Sequence, residues 1–220
     1  MSKSKIVAIK PNGTIDNTFL TTIGGPGTPR INSLKILPNN KILIGGSFST
    51  VNNIACPYIA LLNADGTLDP SFNPATPGGT VKKLEVTNDQ KILLTYSTTY
   101  FSYTVNVLQR INSDGTPDNS FTYATTYGSL NIFKQLKNGK ILIGGSCTLL
   151  GSGTIDVSTF QQIPSKGFTQ LNNDGTFDAS YTTPFTDNTN NYVNYIEETE
   201  NNTILVAGDL SLIHISEPTR

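Results

Sequence analysis

The chain has almost no histidine: one residue in 220, His214, which sits in a C-terminal stretch that departs from the pattern of everything before it. With that residue set aside, a Ser-His-Asp or Cys-His arrangement cannot be built and zinc lacks its usual imidazole ligands. Charge is scarce too, at 14% of residues with a formal net charge of −1. A near-neutral chain gives no electrostatic reason to expect nucleic acid or an anionic membrane as partner. No apolar run approaches the about 20 residues that a spanning helix needs, and no n-region and h-region precede the first repeat. Cysteine is limited to Cys56 and Cys147, which stand 10 and 2 residues after their respective glycine pairs. Because these positions are not equivalent, two buried free thiols are expected rather than a disulfide, and the compartment stays open.

What is abundant is repetition. The strings PNGTIDNTF, NADGTLDPSF, NSDGTPDNSF and NNDGTFDASY place Gly13, Gly66, Gly115 and Gly175 at spacings of 53, 49 and 60 residues. A second phrase keeps the same beat: NKILIGGSF from Asn40, QKILLTYS from Gln90, GKILIGGSC from Gly139 and NTILVAGD from Asn202. Two phrases in strict alternation at about 50 residues mark either propeller blades or paired-helix arrays. The local chemistry favours strands. Leu34 and Ile36 alternate with Ser33 and Lys35, the turn Pro38-Asn39-Asn40 follows, and Ile42-Leu43-Ile44 is the unbroken run of a strand covered on both faces. Residues 58–62 supply a third strand, and Asp65-Gly66 signals a tight hairpin turn into a short fourth. The fold class is therefore all-β: a β-propeller of four-stranded antiparallel blades.

These residues resemble the delta-60 repeat, a β-propeller repeat of bacterial surface and secreted proteins and of some phage proteins. The resemblance rests on the KILIGG strand and the NxDGTxDxSF hairpin and covers nearly all of residues 5–209, with departures at Thr95-Tyr96, Thr203 and Ala207-Gly208. It implies a secreted, cell-surface or virion-associated setting and little about activity. Residues 1–209 divide into a half blade, three whole blades and another half, about four blades, as expected of a fragment of a larger propeller. Residues 210–220 resemble the in-frame translation of a sequencing adapter and are left out of the fold.

The hairpin residues Asp16, Asp69, Asp118 and Asp178 follow the repeat glycines, and the pairs Asp65/Asp69, Asp114/Asp118 and Asp174/Asp178 set two carboxylates around a glycine. Such turns can hold calcium, but Asp and Asn favour turns by bonding their own backbone, and the later Asp can tie the fourth strand down. The turn-and-cap role is expected, with no metal and no cofactor. Phe19, Phe72, Phe121 and Tyr181 close each hairpin and are expected to plug adjacent blades rather than to stack sugars. Lys41, Lys91 and Lys140 are expected to protect a strand terminus or turn. Glu197, Glu198 and Glu200 read as a solvated loop face. Paired carboxylates facing one cleft, as a glycosidase requires, are not evident, so no catalytic residue and no enzymatic activity are expected.

The repeats differ most in the second-to-third and fourth-to-first connections. These carry Tyr96, Tyr100, Phe101, Tyr103, Tyr123, Tyr127, Tyr192 and Tyr195 among Asn and Thr, and the third such segment holds an insertion of about ten residues between Cys147 and Gly167. Variable loops on a rigid scaffold are where binding resides. The expected function is a non-catalytic binding or structural module that meets protein or carbohydrate through this face. The alternatives are a propeller enzyme acting on polysaccharide, whose mark would be paired acids in non-equivalent loops, and a calcium-stabilised adhesion repeat.

Overall fold

A computed structural model of the chain describes residues 4–75, 77–100, 103–152, 167–185 and 191–210. Every regular element among them is a strand, and none of them forms a helix long and apolar enough to cross a membrane. The chain divides into two compact units, residues 1–98 with 110–118 and residues 99–109 with 119–220.

In the first unit β1 (Ser4–Ile6) pairs with β2 (Thr21–Gly24). β3 (Ile31–Ile36) and β4 (Ile42–Gly46) form an antiparallel hairpin. Between β4 and the next blade strand, the short β5 (Thr50–Val51) and β6 (Ile54–Ala55) make a small hairpin whose first strand pairs with β2. β7 (Ile59–Leu62) then pairs with the other edge of β4. β8 (Val81–Val86) and β9 (Ile92–Tyr100) open the next blade, and β9 and β10 (Tyr103–Ile111) carry the chain from one unit into the other and back.

The unbroken apolar run of β4 has a direct cause. Leu43 lies in a core with Leu61, Phe72, Val81, Leu84 and Leu94, whereas its neighbour Ile44 lies in another with Ile23, Phe48, Val51 and Leu62. Successive side chains of a strand point to opposite faces, so a strand flanked by two blades must be apolar at every position. Each fully buried aliphatic side chain contributes about 1.5–3 kcal/mol. Phe72 belongs to the core that joins the β3–β4–β7 blade to β8 and β9, so it acts as a plug between blades.

The second unit is built from longer strands. β11 (Ala124–Gln135) pairs along most of its length with β12 (Ile141–Ser152), and β13 (Phe168–Leu171) takes β12's other edge. Residues 124–127 of β11 also pair with residues 105–108 of β10. β14 (Tyr192–Glu198) and β15 (Ile204–Asp209) form a separate two-stranded sheet. The core joins Ile132, Leu142 and Phe168 to Phe185, Val193 and Ile196.

The tight hairpin turn forms at Asp65-Gly66: the Gly66 amide donates to Asn63 O at 3.0 Å, the Asn63 amide donates to Thr67 O at 2.8 Å, and Gly66 has φ +85° while Asp65 stays at negative φ. This is the form in which a type I turn ends on a left-handed glycine. The fourth strand, however, is not continuous. It shrinks to the single bridges Ile9–Ile15, Leu62–Leu68, Ile111–Pro117 and Leu171–Phe177, because the aspartate that follows makes a second turn. Beyond that turn the chain resumes pairing in two places, as β2 beside β1 and as the start of β11 beside β10.

The turn glycine also receives the preceding blade. The Asn73 and Thr122 amides donate to Asp114 O at 2.9 Å and to Asp174 O at 2.6 Å, and Leu20 donates to Asp65 O at 3.3 Å. A Cβ on Gly115 would lie 2.8 Å from Pro74 Cα, while one on Gly13 would meet nothing within 4 Å. Both glycines hold left-handed φ, +92° and +83°. Gly13→Ala is therefore expected to cost only the backbone penalty of about 1–2 kcal/mol, and Gly115→Ala about 1–3 kcal/mol more for the forced displacement of Pro74. Chemical denaturation of the two variants measures the gap, and equal losses would show that the preceding blade does not press on Gly115.

Candidate functional site

The repeated polar residues bond chiefly within their own blades. Asp65, Asp114 and Asp174 each accept, on Oδ1, the amide and hydroxyl of the threonine two residues on, at 2.9 and 2.6 Å, 2.9 and 2.7 Å, and 3.0 and 2.6 Å. Asn12 does the same for Thr14. Asp69 and Asp178 accept from Ser71 and Ser180 on Oδ1 and from a lysine on Oδ2, and Asp16 accepts from Thr18. These lysines are the repeat lysines. Lys41 Nζ lies 2.5 Å from Asp69, Lys91 2.9 Å from Asp118 and Lys140 2.6 Å from Asp178, so each ties the start of the second strand to the far end of its own blade. Asp118 additionally takes buried Arg110 at 2.6 Å. In the first hairpin Lys10 approaches Asp16 only to 3.9 Å.

The electrostatics follow from these bonds. The Thr67 and Thr116 hydroxyls hold Asp65 and Asp114 below the usual carboxylate range, and the Lys41 ammonium does so for Asp69. Lys140, with Ser180, pulls Asp178 down to about 2. Cys56 is a buried free thiol whose Sγ–H donates to Ile59 O at 3.2 Å, and burial pushes its pKa up. The side chain of Cys147 lies outside the described residues. Among the described residues no group of three or more His, Cys, Asp or Glu comes together.

Phe19, Phe72 and Phe121 are buried, and half-buried Tyr181 packs edge-on against Phe168 with ring centroids 6.1 Å apart. Burial raises the Tyr181 phenol to about 12. The acidic trio is engaged as well: Glu197 meets Lys134 at 3.1 Å, Glu198 accepts the Lys137 amide at 2.7 Å, and the Glu200 carbonyl accepts from Lys137 Nζ at 3.0 Å. Glu197 and Glu198 lie on β14 rather than in the expected loop.

Most of the tyrosines expected in loops also stand on strands. Tyr96 and Tyr100 are on β9, Tyr103 on β10, Tyr127 on β11, and Tyr192 and Tyr195 on β14. The Thr and Tyr that extend β9 to β12 are good strand formers, but these extensions lack the apolar alternation that marks a strand in sequence. Tyr96 is half-buried against the first unit's core, and Tyr123 is half-buried just before β11. The side chain of Tyr100 and the whole of Phe101 lie outside the described residues. Among the described residues, Tyr103, 56% exposed, and Tyr127, 49% exposed, meet edge-to-face in the second unit with centroids 6.1 Å apart. Tyr192 and Tyr195 are exposed on the separate β14–β15 sheet.

Around the Tyr103–Tyr127 pair the chemistry is neutral. Residues 103–109 and 123–130 contain no charged side chain. The Asn106 amide donates to Gly128 O across the two strands and so fixes the backbone beside Tyr127. Asn106 was not singled out from the sequence, and its only signal there is a polar residue between two strand valines. Two open phenol rings on a paired strand, rimmed by amide and hydroxyl groups, can stack on an apolar ligand face while hydrogen-bonding its edge.

Residues 37–72 and 88–121 match the model of a family described as a domain of unknown function (DUF5122) β-propeller. No curated protein matches the chain.

The Lys140–Asp178 pair carries a pH prediction. A carboxyl that titrates near 2 in the folded chain and near about 3.9 when unfolded adds stability that is present above the unfolded value and is lost as pH falls toward 2. The melting temperature should therefore drop between about pH 5 and pH 2, and Asp178→Asn should shrink that drop. An unchanged profile in Asp178→Asn would remove this carboxylate from the acid response.

Proposed function

From a match to the DUF5122 β-propeller family over residues 37–72 and 88–121, a scaffold whose fold does not dictate its chemistry, we propose that this chain is a non-catalytic binding module that meets a neutral carbohydrate or protein surface through the β10–β11 tyrosines. The carrying observation is the exposed Tyr103–Tyr127 pair. Exposed aromatic side chains that touch one another are uncommon on a surface unless something packs on them, and tyrosine loses little conformational freedom on binding. The absence of charge in the flanking strands favours a neutral partner over a polyanion.

The non-catalytic reading draws on the acidic residues. The hairpin carboxylates are repeat-equivalent, and their oxygens take the hydroxyls, amides and lysines of their own blades. A pair of acids facing one cleft, which hydrolysis of a glycosidic bond needs, is not formed by them. A surface, secreted or virion-associated setting, as the family resemblance implies, would present such a face to its partner.

Binding of immobilised neutral oligosaccharides and of candidate surface proteins tests the reading. Tyr103→Ala with Tyr127→Ala should weaken attachment by tenfold or more, equivalent to about 1.4 kcal/mol, and change stability by no more than about 0.5 kcal/mol, as surface substitutions do. Tyr103→Phe should retain most of the stacking. If the double variant attaches as well as the parent, this face is not the binding surface.

A further inference from the structure

The two units treat one repeat position in opposite ways. In the second unit the turn of residues 136–140 is clamped to the turn of the next blade by Lys137. Its amide donates to Glu198 Oε2 at 2.7 Å, and its Nζ donates to Thr199 O at 2.8 Å, Glu200 O at 3.0 Å and Asn202 Oδ1 at 3.4 Å. Counting from the start of the second strand, the first-unit equivalents are Pro38 for Lys137, Val86 for Glu198 and Gln90 for Asn202. Proline has no amide hydrogen and valine no carboxylate, so donor and acceptor of the first bond are missing together, and the ammonium is missing with them. The receiving turn nonetheless keeps its shape. Gln90 and Asn202 have φ of 61° and 62°, and their amides donate to Thr87 O at 3.0 Å and to Thr199 O at 3.1 Å.

Where the clamp is missing there is a cavity of about 410 Å³, with Leu37, Pro38, Val86 and Ile92 on its apolar wall and Gln90 and Asp114 on its polar side. Lys41 also borders it, but its ammonium is held on Asp69 at 2.5 Å. Asp114 takes the amide and hydroxyl of Thr116 on Oδ1 and brings a negative charge to the cavity. The space therefore offers an aliphatic wall leading to Gln90, which stands where Asn202 receives Lys137 Nζ, with Asp114 beside it.

We propose that the cavity between the 37–41 and 87–91 turns binds a primary alkylammonium group, of the kind that a lysine side chain of a partner protein presents. The stem lies over Pro38 and Val86, and the ammonium takes the place beside Gln90 that Lys137 Nζ takes beside Asn202. The site belongs to the first unit and does not rest on the tyrosine face of the second.

The test uses the full chain titrated with Nα-acetyl-lysine methylamide, with the norleucine analogue as the same stem without the charge. Saturable binding of the lysine compound, at least tenfold tighter than that of norleucine, is expected. The double substitution Pro38→Lys with Val86→Glu rebuilds the clamp and should remove that binding while raising the melting temperature. If it fails to fold, Gln90→Gly removes the side-chain ligand at a left-handed position where the equivalent Gly139 stands, and should weaken binding several-fold. Equal binding of lysine and norleucine, no saturable binding of the lysine compound, or undiminished binding by the folded clamp variant or by Gln90→Gly would each overturn the proposal.

Discussion

The structure depends on how closely one blade approaches the next, and that approach is set by missing side chains. A Cβ on Gly45 would stand 2.5 Å from Val81 Cγ1, and one on Gly144 would stand 2.6 Å from Val193 Cγ1. The first glycine of the KILIGG phrase is therefore the seat for the first strand of the following blade. With that seat open, Leu43 and Leu84 share one core and Leu142 and Ile196 share another. Close packing at protein density tolerates little expansion, so a methyl at either seat would separate two blades along their whole contact. The hairpin glycine works in the reverse direction, accepting the chain that follows the plug aromatic of the blade before it. Each blade thus reaches forward at its hydrophobic plug and is reached into at its turn.

Much of this was legible in the sequence because the repeat shows which residues are held constant. The both-face burial of β4 follows from Ile42-Leu43-Ile44, and the plug role of Phe72 follows from its recurrence. The Lys41–Asp69 pair was half legible. Both residues recur, but they stand 28 positions apart, and nothing local shows that the second strand begins beside the end of the fourth. The broken fourth strand was not legible, since the second turn that Asp69 forms with Ser71 competes with the ladder through side-chain bonds that apolar alternation does not announce. The effect of a covering strand shows at Ile9, which is 67% exposed while its equivalents Leu62, Ile111 and Leu171 are at most 1% exposed.

The tyrosines are expected in loops because their segments are polar and differ from the other repeats, yet Tyr96 and Tyr100 stand on β9, Tyr103 on β10 and Tyr127 on β11. The difference matters physically. A tyrosine on a paired strand has its backbone fixed before any partner arrives, so binding spends less conformational entropy than it would on a mobile loop. The extension comes from cross-strand pairing of Thr, Ser and Tyr, whose fit to a pleated surface depends on neighbours that a linear reading does not supply.

A repeat protein contains its own controls, and these separate structural residues from candidates for function. Where all copies agree, as in the Gly-Thr pair of each hairpin, the residue answers a requirement of every blade. Where two coupled positions change together, as Lys137 and Glu198 against Pro38 and Val86, one interface has given up an internal bond without losing the turn that received it. Such an interface keeps its apolar wall and other cross-blade bonds, as from Asn32 Nδ2 to Val81 O at 2.7 Å, but lacks this clamp, and a ligand that supplies the missing ammonium binds the folded state and not the unfolded chain. Its affinity then appears as added stability that grows with the logarithm of its concentration. In a stack of blades that contact only their neighbours, that gain falls on the junction that lacks the clamp. A cleft between blades therefore couples occupancy to cohesion, whereas the Tyr103–Tyr127 face, carried on strands already paired, offers contact without that coupling.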